Sequence, residues 1–229
     1  MIPGVRLVVL GKQGAGKGTQ CVRLSHHYVV PHVSTGDMLR AAVKSGSPLG
    51  LRAKKAMDRG ELLPDELIME MVGERLAESD TRARGFILDG APRTLLQARM
   101  LVGIMEPDRL DLVIDLDVPT GQVLRRLASR RVCVDCGTNY SVTSPPMVGW
   151  VCDVCGGEVV QREDDTEEAI RTRLELYERQ TAPLIEWYAA RNLLARVNGS
   201  GSADAVTRRI VKAIEEARRP GPPGRGPVR

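Results

Sequence analysis

VRLVVLGKQGAGKGT, residues 5–19, sets a short apolar run directly before a glycine-rich turn and a lysine. The run Val5 to Leu10 is continuous and rich in β-branched residues, the pattern of a strand buried on both faces of a parallel sheet. Gly11 to Lys17 fits the spacing G-x-x-x-x-G-K, and the stretch from Gly16 to Tyr28 predicts a helix. Between a strand and a helix, such glycines let the backbone curl so that successive N–H groups converge on phosphate oxygens. The helix N-terminus adds a fixed positive potential there. Lys17 contributes a mobile point charge. Gly14, Ala15, Gly16, Lys17, Gly18 and Thr19 are therefore the candidate phosphate ligands.

Working outward, short apolar runs recur at Phe86 to Leu88, Leu112 to Leu116 and Leu194 to Val197, with a weaker one at Val30 to Val33. They alternate with helical patterns. Pro64 opens a segment in which Leu67, Ile68, Met71, Val72 and Leu76 share one face. Thr94 to Met105, Thr120 to Ser129 and Asp165 to Arg191 also read as helix, the last broken near Pro183. This alternation predicts an α/β fold: a doubly wound, parallel five-stranded sheet with helices on both faces. Residues 35–64, two helices without a strand, and residues 130–165, rich in Cys, Gly and Pro, break the rhythm and read as insertions. The core is then expected at 1–34, 65–129 and 166–218.

Lys and Arg exceed Asp and Glu by 33 to 29, a net charge of +4. The stretch after Glu216 alone supplies that excess through Arg218, Arg219, Arg225 and Arg229, so the body is close to neutral and lacks the basic footprint of a nucleic-acid binder. Residues 219–229, RPGPPGRGPVR, are too rich in Pro, Gly and Arg to bury a core and are expected to be a disordered tail. No window approaches the roughly 20 apolar residues that span a bilayer, and the first residues do not read as a signal peptide. We expect a cytoplasmic monomer with no membrane partner.

Five cysteines are present, and four of them form Cys133-x-x-Cys136 and Cys152-x-x-Cys155 with fifteen residues between the pairs. That is the spacing of a tetrahedral zinc ribbon, in which a glycine after each second cysteine permits a tight knuckle turn. Four thiolates leave no open coordination position, which makes the metal structural. Zinc binding worth on the order of 10 kcal/mol would offset the few apolar anchors of so short a segment. Cys21 stands apart on the first helix and reads as a small buried hydrophobe.

Further motifs follow in order: STGDMLR at 34–40, LDGAPRT at 88–94 with Gln97 behind it, SRR at 129–131 and QREDD at 161–165. With the G-K-G-T ending at Gly16 to Thr19, which departs from the GTPase pattern, the chain resembles the adenylate kinase family over roughly residues 5–215. The resemblance implies reversible, magnesium-dependent transfer of the terminal phosphoryl group of ATP to AMP, giving two ADP. It implies a monophosphate-binding insertion at 35–64 and a zinc-bearing lid at 130–165. Thr35, Arg40 and Arg93 would meet the monophosphate, two guanidinium groups acting as bidentate clamps; the position of Thr35 suits a helix N-cap equally well. Gln97 would read the adenine of AMP, with Glu61, Leu62, Leu63, Gly90, Ala91 and Pro92 completing that pocket. Asp89 would hold magnesium through water. Arg130, Arg162 and Arg173 would gather around the phosphates as the lid closes, and Arg126, Asn139, Tyr140 and Gly201 would serve the ATP side. Lys17, Asp89, Arg93, Arg130, Arg162 and Arg173 are then the catalytic set, acting by position and charge rather than by proton transfer.

Three positions depart from the family pattern. Lys12 and Gln13 stand where Ala and Pro are common, and Ala91 replaces a phenylalanine, removing an aromatic contact beside the monophosphate pocket. Two other readings compete. One is a relative with a different donor or acceptor base, GTP for ATP or a pyrimidine monophosphate for AMP; Gln97 and the long cysteine-bearing lid favour AMP. The other is a P-loop switch whose ribbon grips nucleic acid. None of Asn139, Asn192 and Asn198 begins the N-K-x-D motif that such a GTPase switch needs, and only Tyr140 and Trp150 lie near the ribbon as stacking aromatics.

Overall fold

In the computed structural model, which describes residues 4–219, alternate side chains of the strand Val5–Leu10 (β1) enter two separate cores. Val5, Leu7 and Val9 pack on one face, Val8 and Leu10 on the other, and all are 4% exposed or less. Because both faces are covered, no polar alternation is needed; Arg6 is the one polar residue of the run, and its guanidinium reaches out to Asp108.

The chain continues through α1 (Lys17–Tyr28), β2 (His32–Ser34), α2 (Thr35–Lys44), α3 (Pro48–Arg59), α4 (Asp65–Leu76), α5 (Ser79–Arg84), β3 (Gly85–Asp89), α6 (Leu95–Met105), β4 (Leu112–Asp117) and α7 (Thr120–Ser129). Three short strands follow, β5 (Arg130–Cys133), β6 (Asn139–Ser141) and β7 (Val159–Val160). The remainder is α8 (Glu167–Leu176), a π-helical turn (Tyr177–Thr181), α9 (Pro183–Ala189), β8 (Leu194–Asn198) and α10 (Ala203–Arg218). The main sheet has the order β2-β3-β1-β4-β8, all parallel, with Leu7 opposite Ile87 and Leu112. Helices α1, α7 and α10 cover one face; α4, α6 and α9 cover the other. The five expected strands are therefore present, with β2 displaced to His32–Ser34.

Local capping explains where the helices start. Ser34, Ser47, Thr94, Thr166 and Ser202 each accept a hydrogen bond from the backbone N–H three residues on. Thr35 is thus the first residue of α2 rather than its cap; Ser34 holds that position. The break expected near Pro183 is the π-helical turn, after which Pro183 opens α9. Two helices were not anticipated. The six residues of α5 are too few to show a period, whereas α10 carries a readable one in Val206, Ile210 and Ile214.

Strands β5, β6 and β7 form a small antiparallel sheet, order β6-β5-β7, apart from the main one. Its core is Cys133, Cys152 and Val159 with Tyr140 packed against them. Helices α2 and α3 pack on each other across the 35–59 stretch. The expected tail at 219–229 lies outside the described residues beyond Arg219.

Candidate functional site

The crossover order puts the C-terminal ends of β1 and β3 side by side, and the loop between β1 and α1 opens there, where parallel sheets hold ligands. Gly11, Gly14 and Gly16 all have positive φ, of 140°, 80° and 100°. At Gly14 a side chain would be strained in backbone and would also press Leu127, 2.8 Å from the added Cβ. Lys17 folds back over its loop, Nζ donating to the carbonyls of Gly11 (2.8 Å) and Lys12 (3.0 Å). Burial pulls its pKa down, against the nearby Asp89 carboxylate.

A cavity of about 1210 Å3 extends from this loop between the 35–64 stretch and the small sheet. It exceeds the roughly 300–1,000 Å3 that a single drug-sized ligand occupies, so it has room for two nucleotides. Gly14, Gly16, Lys17, Gly18 and Thr19 line it, together with Arg126, Arg130, Asn139, Tyr140 and Gly201. Thr35, Arg40, Glu61, Leu62, Leu63, Gly90, Pro92, Arg93 and Gln97 line the same cavity, as do Asp89, Arg162 and Arg173. Ala15 and Ala91, 2% and 1% exposed, sit in the walls behind the surface rather than on it.

Each of these groups is held. Gln97, itself buried, accepts from the Arg93 backbone N–H (2.7 Å) and donates to Asp65 (2.7 Å), which also takes the Thr94 hydroxyl (2.7 Å). Arg93 donates from Nε to the Gly90 carbonyl at 2.7 Å, and burial lowers its pKa. Gly90 has φ of 87°, and a Cβ there would collide with the Thr35 hydroxyl. Arg40 pairs with Asp37. Arg126 bridges the carbonyls of Ala15 (2.9 Å) and Gly199 (3.1 Å), joining the phosphate loop to the loop after β8.

The carboxylates of the QREDD stretch organise the arginines. Asp165, with its side chain wholly buried, accepts both from Nε of Arg130 (2.7 Å) and from its terminal nitrogen, and from Gln13 Nε2 at 3.1 Å. Asp164 accepts from Arg173 at 2.7 Å, and the same guanidinium donates to the Met57 carbonyl at 2.8 Å. Burial pushes the Asp164 carboxyl up, but Arg173, with Arg162 and Arg40, outweighs it and the net shift is downward. Asp164, Asp165 and Asp65 are partners of site residues that motif reading passed over; Asp164 and Asp165 stand beside Arg162 in the sequence, which was the available signal, whereas Asp65 meets Gln97 only through the fold.

Arg162 differs from the rest. Its Nε is buried without a hydrogen-bond partner, and burial, with Arg40 and Arg130 nearby, brings its pKa down to about 10. A guanidinium left short of acceptors among other cations is a site for an anion. On Asp89, burial acts upward, while His32, Lys17 and Arg93 outweigh it and keep the carboxyl ionised.

In the small sheet the four sulfurs of Cys133, Cys136, Cys152 and Cys155 lie within 4.8 Å of one another, with Cys133–Cys155 and Cys136–Cys152 both 3.5 Å apart. Zinc–sulfur bonds of about 2.3 Å in a tetrahedron separate sulfurs by about 3.8 Å, so the set fits such an ion. The Tyr140 hydroxyl accepts from Asp153 N–H (2.8 Å), which leaves its proton for Cys152 Sγ at 3.4 Å. That hydrogen bond lowers the Cys152 thiol to about 6. No helix of the described residues is long and apolar enough to cross a membrane.

Comparison with known proteins agrees with this geometry. The family model described as adenylate kinase matches residues 9–193. The chain is 50% identical to an adenylate kinase of Thermodesulfovibrio yellowstonii over 215 residues, 93% of this chain and 100% of that protein. It is 47% identical to one of Methanocella arvoryzae, covering 93% and 99%, and 49% identical to one of Acidothermus cellulolyticus, covering 92% and 98%. With the strand, phosphate loop and arginine-lined cleft all in place, the chain belongs to the adenylate kinase family.

Proposed function

We propose that the enzyme transfers the terminal phosphoryl group of ATP to AMP within this one cleft, and that its two ends divide the work. The loop at 11–19 holds the ATP phosphates through backbone N–H groups and Lys17. Thr35, Arg40 and Arg93 hold the monophosphate, and Gln97 offers its remaining donor and acceptor to the adenine edge. Arg130, Arg162 and Arg173 neutralise charge on the moving phosphoryl group. The observation that carries this assignment is Arg162, a half-buried cation whose Nε is buried without a partner, on the wall of a cleft already rich in arginines. Charge of that kind is offset when phosphate oxygens arrive, and it acts most on a transition state whose charge is spread over equatorial oxygens.

No protein base is required, since in-line placement of the two nucleotides supplies most of the acceleration. Asp89, ionised and on the cleft wall, would hold through water the magnesium that accompanies ATP; that ion supplies charge neutralisation at the bridging phosphate oxygens. The segments 35–64 and 130–165 act as two flaps that close over the nucleotides and exclude water. Zinc on Cys133, Cys136, Cys152 and Cys155 keeps the second flap folded. The location is cytoplasmic, and the working unit is a monomer.

The test is the initial rate of ADP formation from ATP with magnesium and AMP, GMP, CMP or UMP. AMP should be preferred by about 100-fold, and Gln97→Ala should collapse that ratio more than it lowers the rate with AMP. A preference for CMP or UMP in the unaltered enzyme would overturn the assignment of the acceptor.

A further inference from the structure

The geometry points to a second cation site, distinct from the ribbon: Cys21, His32 and Asp89 together form a pocket for a thiophilic divalent ion of the zinc, cobalt or cadmium class. Cys21 lies one helical turn beyond Lys17 on α1, His32 opens β2, and Asp89 closes β3. The parallel register pairs Ser34 with Asp89, so His32, two residues earlier on β2, points to the same side of the sheet as Asp89. Helix α1 packs across β3 and lowers Cys21 onto the same spot. A sulfur, an imidazole nitrogen and a carboxylate oxygen result, all within 4.8 Å of one another.

The spacing suits coordination better than hydrogen bonding. His32 Nε2 stands 3.8 Å from Asp89 Oδ2, close enough to act on its charge but beyond hydrogen-bond reach, and this nitrogen is buried with no hydrogen-bond partner. Ligand bonds of about 2.0–2.3 Å to one tetrahedral ion separate ligand atoms by about 3.3–3.8 Å, so little movement would be needed. The mixed sulfur, nitrogen and oxygen set selects borderline metals over magnesium. Three protein ligands leave a fourth position for water, and His32 and Asp89 already line the nucleotide cleft, which provides the route of entry. Phosphoryl transfer makes no use of Cys21 or His32.

Binding replaces the S–H bond of Cys21 with a sulfur–metal bond and releases that proton to solvent; His32 donates its Nε2 lone pair, and no electron is transferred. Thiolate and carboxylate then cancel the charge of the dication. This matters because Lys17 bears on both Cys21 and Asp89, and Arg93 bears on Asp89. An ion held here takes Asp89 away from the magnesium that accompanies ATP, so occupancy is inhibitory; that consequence rests on the proposed function, while the binding itself does not.

The test uses the full-length protein with its ribbon loaded with zinc, titrated with cobalt, reading bound cobalt and zinc per chain, near-ultraviolet thiolate–cobalt absorption and proton release. One cobalt per chain should bind in addition to one zinc, with one proton released. Affinity should fall by about tenfold or more in Cys21→Ser and, independently, in His32→Gln, with zinc unchanged. Cobalt that binds only by displacing ribbon zinc, or with the same affinity in both variants, overturns the site. Cobalt inhibition of ADP formation that persists in both variants overturns the inhibitory role alone.

Discussion

At the residue scale, Arg162 separates what the site needs from what the fold needs. It is half-buried, its Nε lacks a partner, and burial with repulsion from Arg40 and Arg130 outweighs attraction to Asp164 and Asp165, so in the ligand-free protein the group is a cost rather than a support. Arg162→Met keeps most of the stem while removing the charge. Turnover should fall by about 100-fold or more, as when a transition-state donor is deleted. The melting temperature of the ligand-free variant should stay level or rise by about 2–4 °C, since relief of about 1 kcal/mol shifts a chain of this size by that amount. Calorimetry and steady-state rates on the same preparation decide it: a lowered melting temperature with unchanged turnover would make Arg162 a structural strut. The residue itself was legible from its motif. Its buried, unpartnered state was not, because that depends on Arg40 and Arg130 arriving from elements far away in sequence.

At the element scale, the small sheet β5-β6-β7 has three buried side chains in its core, two of them cysteines, so apolar burial alone cannot hold it. Chelation of the ribbon metal should therefore unfold residues 130–165 locally while the main sheet, with its two full cores, persists. Hydrogen exchange should show the amides of Val132 and Val160 losing protection while those of Val8 and Val113 keep theirs, and phosphoryl transfer should fall in parallel. Simultaneous loss of both sheets would mean that the ribbon is integral to the core. Element by element, legibility followed how local the signal was. The strands β1, β3 and β4 announced themselves as apolar runs because both of their faces are buried; the edge strand β8, in which only Val197 is buried, showed through Leu194, Ala195 and Val197, and the cysteine spacing located the ribbon. The strand β2 was read two residues early, since His32 and Ser34 owe their extended state to pairing with Ile87 and Asp89 rather than to their own composition. Helix α5 was invisible for want of length. Helix α10 went unread although Val206, Ile210 and Ile214 gave a four-residue period and Ser202 a cap, because its strongly charged remainder masked the apolar stripe.

At the scale of the whole molecule, the two chain crossings into the 130–165 segment meet at one point. The segment enters at Arg130 and leaves at Asp165, and these two residues are bound to each other. Gln13, on the phosphate loop, ties that junction down through its hydrogen bond to Asp165, while Lys12 pairs with Glu178 (2.9 Å) and Thr120 (2.8 Å) on the other side of the loop. The two departures from the Ala and Pro common in this family thus build contacts that those residues cannot make. A hydrogen bond to a charged acceptor contributes about 1.5–3 kcal/mol, or about tenfold or more in an equilibrium. If that energy is spent on holding the hinge where Arg130 faces the phosphates, Gln13→Ala should loosen the junction without touching the monophosphate end. The expected outcome is a rise of about tenfold in KM for ATP, an unchanged KM for AMP and a melting temperature within about 3 °C of the parent. Asp165→Asn weakens the same junction, so the double variant should lose less than the sum of the two singles. Additive losses, or equal changes in both KM values, would show that Gln13 and Asp165 do not act as one hinge.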